Sequence, residues 1–292
     1  MATVCRGFSG HGEVFRSVCP HSLVFLHHSE QITAHHSLQA GAVVIEFTIR
    51  RLSKPLPEKE REQIVRIAAH YFPPSFDVES MLDEHLGQDT CVHVAEQGDR
   101  IVGFSVHSFS RRKTPFHKQD LPVFFQRLLY VDPAVQHKAV GLKLQTRGLR
   151  FRLGLFWLFR RFVVICLTSN PQVLRAMSQY NEYYPRRDGV LPESVYVFCQ
   201  QLGSMMGFSR IDRRLLVYGT NETLLEGEDY SSEWASFLRS GHTEFDQMIL
   251  QTAFSTKNDR VTHSGSLLLA IGYARPMHFL RRFIELSYRY HR

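Results

Sequence analysis

At 292 residues, 43% of them hydrophobic, the chain can bury a substantial core and has room for one large domain with extensions or two small domains. Lysine and arginine exceed aspartate and glutamate by 35 to 28, and the net charge of +7 suits an anionic partner without choosing between nucleic acid, an acidic membrane face and a phosphorylated cofactor. The five cysteines, Cys5, Cys19, Cys91, Cys166 and Cys199, are odd in number, scattered and without a CxxC pair, which argues against a disulfide framework or zinc knuckle and makes a reducing cytoplasm the default location.

Residues 1–41 are rich in His, Ser and Gly and lack sustained periodicity, so they read as a flexible leader. "SLVFL" within it is too short for a secretory core, and the acid-poor start only slightly resembles a transit peptide. The doublets His27/His28 and His35/His36 lack Cys or carboxylate neighbours at ligand spacing, and no metal is assigned to them. Regular structure begins at "AVVIEFTIRRL" (42–52), where Val44, Glu46, Thr48 and Arg50 alternate with Val43, Ile45, Phe47 and Ile49, predicting a strand with one wet face. "EKEREQIVRIAAHYF" places Ile64, Ile67, Ala68, Tyr71 and Phe72 at helical spacing, with carboxylates in its first turn and Pro73-Pro74 at its end. "FDVESMLDEHLG" reads as a second short helix closed by Gly87.

A "GD" turn between "CVHVAEQ" and "RIVGFSVHSF" signals a hairpin, and "VFFQRLLYV" a further strand. From Ala139 a helix is expected, with Val140, Leu144, Gly148 and Phe151 on one face and glycine permitting close approach to a sheet. "RFVVICLTS" is a continuous apolar run, as in a strand covered on both sides, yet Arg160 and Arg161 interrupt "LGLFWLFRRFVVICL" before it could reach transmembrane length. Asn170 and Pro171 read as cap and first residue of a helix carrying Val173, Ala176, Met177 and Tyr180. "VYVFCQQ" and "RRLLVYG" give further strand signals. Residues 221–292 read as an acidic linker and a helical extension, whose terminal Phe279, Leu280, Phe283 and Ile284 form an apolar stripe that packs on its own domain or meets a membrane surface or partner. The order of elements predicts a mixed α/β sheet domain over 42–220.

Between "LLYVDP" and the helix lies "QHKAVG". A helix N-terminus exposes unpaired N–H groups and partial positive charge, and small residues let a phosphate approach them. Ala139 and Gly141 are small, and His137, Lys138 and Lys143 add charge nearby.

This stretch resembles the acyl-CoA-binding motif of the GNAT superfamily of N-acetyltransferases, Arg or Gln, two residues, Gly or Ala, one residue, Gly or Ala, matched by Gln136, Ala139 and Gly141, with alanine in place of the commoner first glycine. The order of elements agrees over 42–220. The resemblance implies a mostly antiparallel GNAT-like sheet flanked by helices, acetyl-CoA or another acyl-CoA as cofactor, and direct attack of a small-molecule or peptide amine on the thioester. Carried over, the backbone of Leu129 and Val131 would hold the pantetheine arm, the Val131 N–H would face the oxyanion, and Gln136, His137, Lys138, Ala139, Val140 and Gly141 would hold the pyrophosphate. Asn170 would reach the cofactor arm or serve only as a cap.

The family's carboxylate on the motif strand is missing, since Gln126 and Arg127 stand there and neither is a base at neutral pH. His107, Glu46 or a water chain could substitute, His107 first because its unperturbed pKa lies near neutrality. Met177 stands where members of the family often carry an acidic tyrosine, so Tyr180 is the expected acid and Tyr183 the reserve. Arg127, if it faces the substrate cleft, favours an acceptor with a carboxylate or phosphate. A non-catalytic CoA-binding or interaction module on the same fold is the alternative. Nucleic acid is not expected despite the arginines and aromatics of "TRGLRFRLGLFWLFRRF", no transmembrane segment is foreseen, and a homodimer is allowed.

Overall fold

The computed structural model describes residues 47–277, except 88, 137–139, 187–188, 206–207, 209, 219–226, 228, 231–238 and 259. The leader with its histidine doublets, Glu46, and the apolar stripe from Phe279 to Ile284 lie outside the described residues.

The first strand, β1 (Thr48–Leu52), is followed by two helices, α1 (Glu58–Ala69) and α2 (Val78–His85). Ile64, Ile67 and Ala68 turn one stripe of α1 into the core, and Val78, Met81 and Leu82 do the same for α2. The Asp77 carboxylate caps α2 by accepting from Ser80 N at 3.0 Å, and Arg61 of α1 bridges to Glu79 and Asp83 of α2. These short-range devices fix the helix pair as a unit.

Next come β2 (Thr90–Gln97) and β3 (Arg100–Thr114), joined at Gly98, whose φ of +60° is the left-handed geometry that a two-residue hairpin turn requires. A second hairpin leads into β4 (His117–Val131). It runs well beyond the apolar stretches legible in the sequence, because its charged outer end pairs in solvent. The helix α3 (Val140–Leu153) crosses over and β5 (Phe162–Thr168) returns parallel to β4, and α4 (Pro171–Met177) and β6 (Glu182–Tyr184) follow. The remainder comprises α5 (Glu193–Met205), β7 (Arg210–Ile211), β8 (Leu216–Tyr218), α6 (Thr243–Thr252), the hairpin β9 (Phe254–Lys257) and β10 (Arg260–His263), and β11 (Leu267–Ala274).

Among the described residues the main sheet runs β1-β2-β3-β4-β5-β11-β8-β7, with β6 pairing β11. Every neighbouring pair is antiparallel except β4 and β5. This is the expected α/β class, a mixed and mostly antiparallel sheet flanked by helices. One face of the β1–β4 half packs on α1 and α2 through Val92, Val94, Phe104, Val106 and Leu128, and the other on α3 through Ala95, Val102, Val140 and Leu144. The β5–β11 half has its own core with α4, α5 and α6.

Three expectations are corrected. "VYVFCQQ" is helical, because Val195, Phe198, Cys199 and Leu202 repeat at three and four residues and bury one stripe of α5. Phe151 is 44% exposed rather than on the buried face of α3, lying instead against Arg51 and Arg152. The sheet also does not end near residue 220. Seven of the eight buried residues of β11 pair along β5, Leu268 with Thr168 through Ala274 with Phe162, so among the described residues the C-terminal part supplies a central strand together with α6 and the β9–β10 hairpin. No helix among the described residues is long and apolar enough to cross a membrane.

Candidate functional site

The site begins where two strands separate. β4 and β5 pair from Val123 with Val163 to Gln126 with Cys166, and there the pairing stops although both strands continue. At the same point β4 bulges against β3: His107 opposes Gln126 and Val106 opposes Leu128, leaving Arg127 unopposed. The Gln126 carboxamide secures the bulge, its Nε2 donating to Val106 O at 3.1 Å and Leu128 O at 2.6 Å. A bulge bends and twists its strand, so β4 leaves β5 here.

Asp132 N donates to Val102 O at 2.9 Å. In an antiparallel ladder the hydrogen-bonding residues alternate, so Tyr130 and Leu128 address β3 while Val131 and Leu129 turn their N–H and C=O groups the other way, into the gap. Leu129 and Val131 therefore turn their backbone towards β5, with the Val131 carbonyl already engaged by the Tyr71 hydroxyl. Continuing the parallel register past Cys166 would bring Asn170 level with Tyr130 across that gap. Asn170 is also the cap of α4, its Oδ1 accepting from Gln172 N at 2.8 Å, which leaves the amide NH2 group as the part available to a ligand.

The N-terminus of α3 lies against the same stretch of β4. A Cβ built on Gly141 would stand 3.7 Å from Leu129 Cδ2 and Val131 Cγ2, an ordinary contact. Packing thus does not require glycine at 141. The contrast is Gly148 in the same helix, where a Cβ would come within 2.9 Å of His107 Cε1 and 3.1 Å of Phe124 Cζ. Val140 is a core residue, 2% exposed, and can offer a ligand only its backbone. Gln136 is turned back, its Nε2 donating to the Tyr71 hydroxyl at 2.7 Å. His137, Lys138 and Ala139 lie outside the described residues.

Neither residue expected to move protons lies at the gap. His107 is fully buried, stacked on His93 at 5.0 Å and Phe124 at 4.6 Å, beneath Gly148. Burial foremost, with His93, Arg152 and Arg51 adding to it, holds its pKa down to about 3. A sealed, neutral ring cannot take a proton from an amine in the cleft. Tyr180 packs its ring on Gly272 and edge-on against Phe162. Phe162 opens β5 and Gly272 pairs with Val164, so Tyr180 sits at the opposite end of β5 from Thr168 and Asn170. Burial raises its phenol above the ordinary value, with Cys166 a lesser contributor. Tyr183 pairs with Gly272 and shares that far end.

Arg127 is at the gap. Its guanidinium lies 5.5 Å from the Phe125 ring, its Nε is buried without a hydrogen bond, and burial lowers its pKa against the opposing pull of Glu84 and Asp89. Its charge helps depress nearby His85, which burial chiefly holds near pKa 4.

Sequence reasoning missed Tyr71. Its hydroxyl donates to Val131 O while accepting from Gln136, and its ring lies 5.0 Å from Tyr130, which in turn meets Phe72 and Phe104. Phe72 stacks on Phe76 at 4.3 Å. An aromatic wall thus stands beside the open end of β4. The signal was present as three aromatics around Pro73-Pro74, more than the end of one helical stripe needs. A separate concavity of about 570 Å³ along α6, lined by His242, Glu244 and Gln247, contains none of the expected residues.

No protein-family model matches the chain, and no curated protein matches it in sequence. Several acetyltransferases are among the solved structures similar to it, as is a protein of Bacillus halodurans described as a transcriptional regulator. An aminoglycoside acetyltransferase from an uncultured soil metagenomic sample, solved with trehalose, is 22% identical over 37% of this chain and 70% of its own, with a TM-score of 0.29. A protein of Desulfovibrio desulfuricans assigned to the GNAT acetyltransferase family is 17% identical over 57% of this chain and 87% of its own, TM-score 0.30. Ard1 from Thermoplasma volcanium is 19% identical over 51% and 91%, TM-score 0.32. At these TM-scores the likeness carries no argument, and the architecture rests on the chain's own strand order with its single parallel pair.

Proposed function

We propose that the chain is an acyl-CoA-dependent N-acyltransferase, acetyl-CoA being the preferred donor. The observation that carries this reading is the parting of β4 from β5 after Gln126 and Cys166, with the backbone of Leu129 and Val131 turned into the opening. The donor supplies an activated thioester, whose carbonyl the acceptor amine attacks directly. Leu129 pairs with the amide arm as a missing strand would. Val131 N–H donates to the developing oxyanion, where one aimed donor is worth roughly 3 kcal/mol. The first N–H groups of α3, approached where Gly141 carries no Cβ, receive the pyrophosphate. Lys138, His137, Ala139 and Gln136 belong to this cradle by resemblance, Gln136 through its backbone because its side chain serves Tyr71. Asn170 donates its NH2 group to the arm from the β5 side.

Tyr71 ties the end of α1 to the end of β4 and so positions Val131; with His107 and Tyr180 buried, water removes the amine's proton, and the C–S bond breaks as CoA leaves as a thiolate that takes a proton from solvent. Arg127 selects an acceptor that carries a carboxylate or phosphate beside its amine, because a half-buried guanidinium gains most from an anion that desolvates with it. Calorimetric titration with acetyl-CoA and with CoA, beside Gly141→Trp, tests the donor site. An amine screen read by thiol release tests turnover, and Arg127→Ala should lose the preference for acidic acceptors. No preference for acidic over neutral amines in the parent, with Arg127→Ala unaffected, would remove that role.

One observation favours a second reading, a module that binds CoA without turnover: neither expected proton-transfer side chain lies at the gap. Binding without thiol release from any amine would decide for it.

A further inference from the structure

The connection between α3 and β5 exposes three of its large apolar side chains. Gly154, at φ +82°, turns the chain out of α3, and Leu155, Phe156 and Phe159 follow at 66%, 67% and 53% exposure. Isolated exposed apolar residues are ordinary, but three within five positions form a patch that calls for an explanation. Its flanks are exposed Arg152, Arg160 and Arg161. From Pro133 to Asn181 the sequence contains no aspartate or glutamate.

The backbone of this segment is satisfied by its own turns. Gly154 N donates to Arg150 O at 2.8 Å, Trp157 N to Gly154 O at 3.2 Å, Phe159 N to Phe156 O at 3.0 Å and Arg160 N to Trp157 O at 3.1 Å. A segment with unpaired amides would resist an apolar medium, and this one brings few. Trp157 anchors the tip to the domain against Phe162.

We propose that this connection docks the protein on an anionic membrane surface, Leu155, Phe156 and Phe159 entering the acyl boundary while Arg152, Arg160 and Arg161 meet lipid phosphates. Apolar residues at the tip and arginines at its base are the order an interface demands, since the cations reach outward to the headgroups. A nucleic acid would call for phosphate-seeking arginines around stacking rings, and it gives aliphatic Leu155 nothing to do. Met277, the last described residue, donates its N–H to Leu158 O at 2.7 Å, and the sequence that follows carries Phe279, Leu280, Phe283 and four arginines against one glutamate.

The chain contains two tryptophans, so Trp234→Phe leaves Trp157 as sole reporter within the patch. The full chain is mixed with vesicles of phosphatidylcholine alone or with phosphatidylserine added. Sedimentation with the anionic vesicles only, reversed by salt and accompanied by a blue shift of Trp157, is expected. Phe156→Ser with Phe159→Ser, and separately Arg160→Gln with Arg161→Gln, should each weaken binding about tenfold while near-ultraviolet dichroism stays unchanged. The idea is overturned if the full chain stays in solution, if the serine variant binds like the parent, or if a polynucleotide binds more tightly than the vesicles without moving the Trp157 emission. Donor binding at the β4–β5 gap is measured independently of every one of these outcomes.

Discussion

The hydroxyl of Tyr71 is hydrogen-bonded to the carbonyl of Val131, 60 positions further along the chain. It joins the end of α1 to the last residue of β4, where the backbone that would meet a ligand is displayed. Tyr71→Phe keeps the ring packing but leaves Gln136 Nε2 without its acceptor. We expect a loss of about 1 kcal/mol, or a few degrees in Tm. Acetyl-CoA affinity should fall by more than that loss alone explains, and equal affinity in parallel titrations would show that the tie serves stability only.

Two glycines of α3 should answer mutation in opposite ways. At 148 an added methyl meets the sealed His107 ring, and overpacking of this kind costs about 1–3 kcal/mol, more than the roughly 1 kcal/mol that alanine gains over glycine in a helix. At 141 the methyl meets only ordinary contacts, so Gly141→Ala should melt at or above the parent temperature while binding acetyl-CoA less tightly. Thermal melts of both variants and a titration of the second check the pair of outcomes. A destabilised Gly141→Ala protein would show that packing, not a ligand, explains the glycine.

Acid should unfold the protein earlier than carboxylates alone would. His93 and His263 are held near pKa 4 and His107 near 3, burial being the first cause in each, whereas in the unfolded chain all three take a proton near 6.5. Arg51, Arg147 and Arg152 add to the effect at His93, and a folded-state proton on His263 would also disrupt the bond its Nδ1 accepts from Gly265 N. Their contribution is complete above pH 6.5 and is lost as pH falls from 6.5 toward 4, with the share of His107 still declining toward 3. Urea midpoints followed from pH 7.5 to 4.5 should therefore drop steadily, by an amount reduced in His107→Phe.

Tyr180→Phe should leave turnover within about twofold of the parent, because the phenol is buried in the β5–β11 core, packed on Gly272 and Phe162, and burial holds its pKa above the ordinary value. A loss of two or more orders of magnitude in kcat with an unchanged melt would return Tyr180 to the chemistry.

The sequence was most readable where local physics decides. The stripes of α1 and α2, the Gly98 turn, the Asn170 cap and the close approach at Gly148 all depend on residues within a few positions or on one missing Cβ, and each appears where its pattern placed it. The role of Leu129 and Val131 came only from the resemblance of "LLYVDP"; the ladder gives the direction in which their backbone faces. What failed was long-range. "VYVFCQQ" satisfies both an alternating and a helical pattern, and only its neighbours make it a helix. The eight apolar residues of β11 could mark either a strand or a buried helix segment, and their partner lies about a hundred positions earlier. His107 sits in a strand that looks half-wet in isolation, yet α3 covers it, and Tyr71 touches Val131 only after the whole sheet has assembled.

The pairing of β5 with β11 also has a consequence for biosynthesis. When β5 has left the ribosome, the strand that flanks it on its far side is still roughly a hundred residues from being made, on the order of ten seconds of translation. Until then Val163, Val164 and Ile165 form an apolar edge with only β4 beside it, the kind of surface that recruits chaperones or neighbouring nascent chains. A stop codon or frameshift anywhere before residue 267 should yield an insoluble product rather than a shorter enzyme, and a soluble, protease-resistant fragment ending at residue 220 would show that the first half closes its sheet unaided.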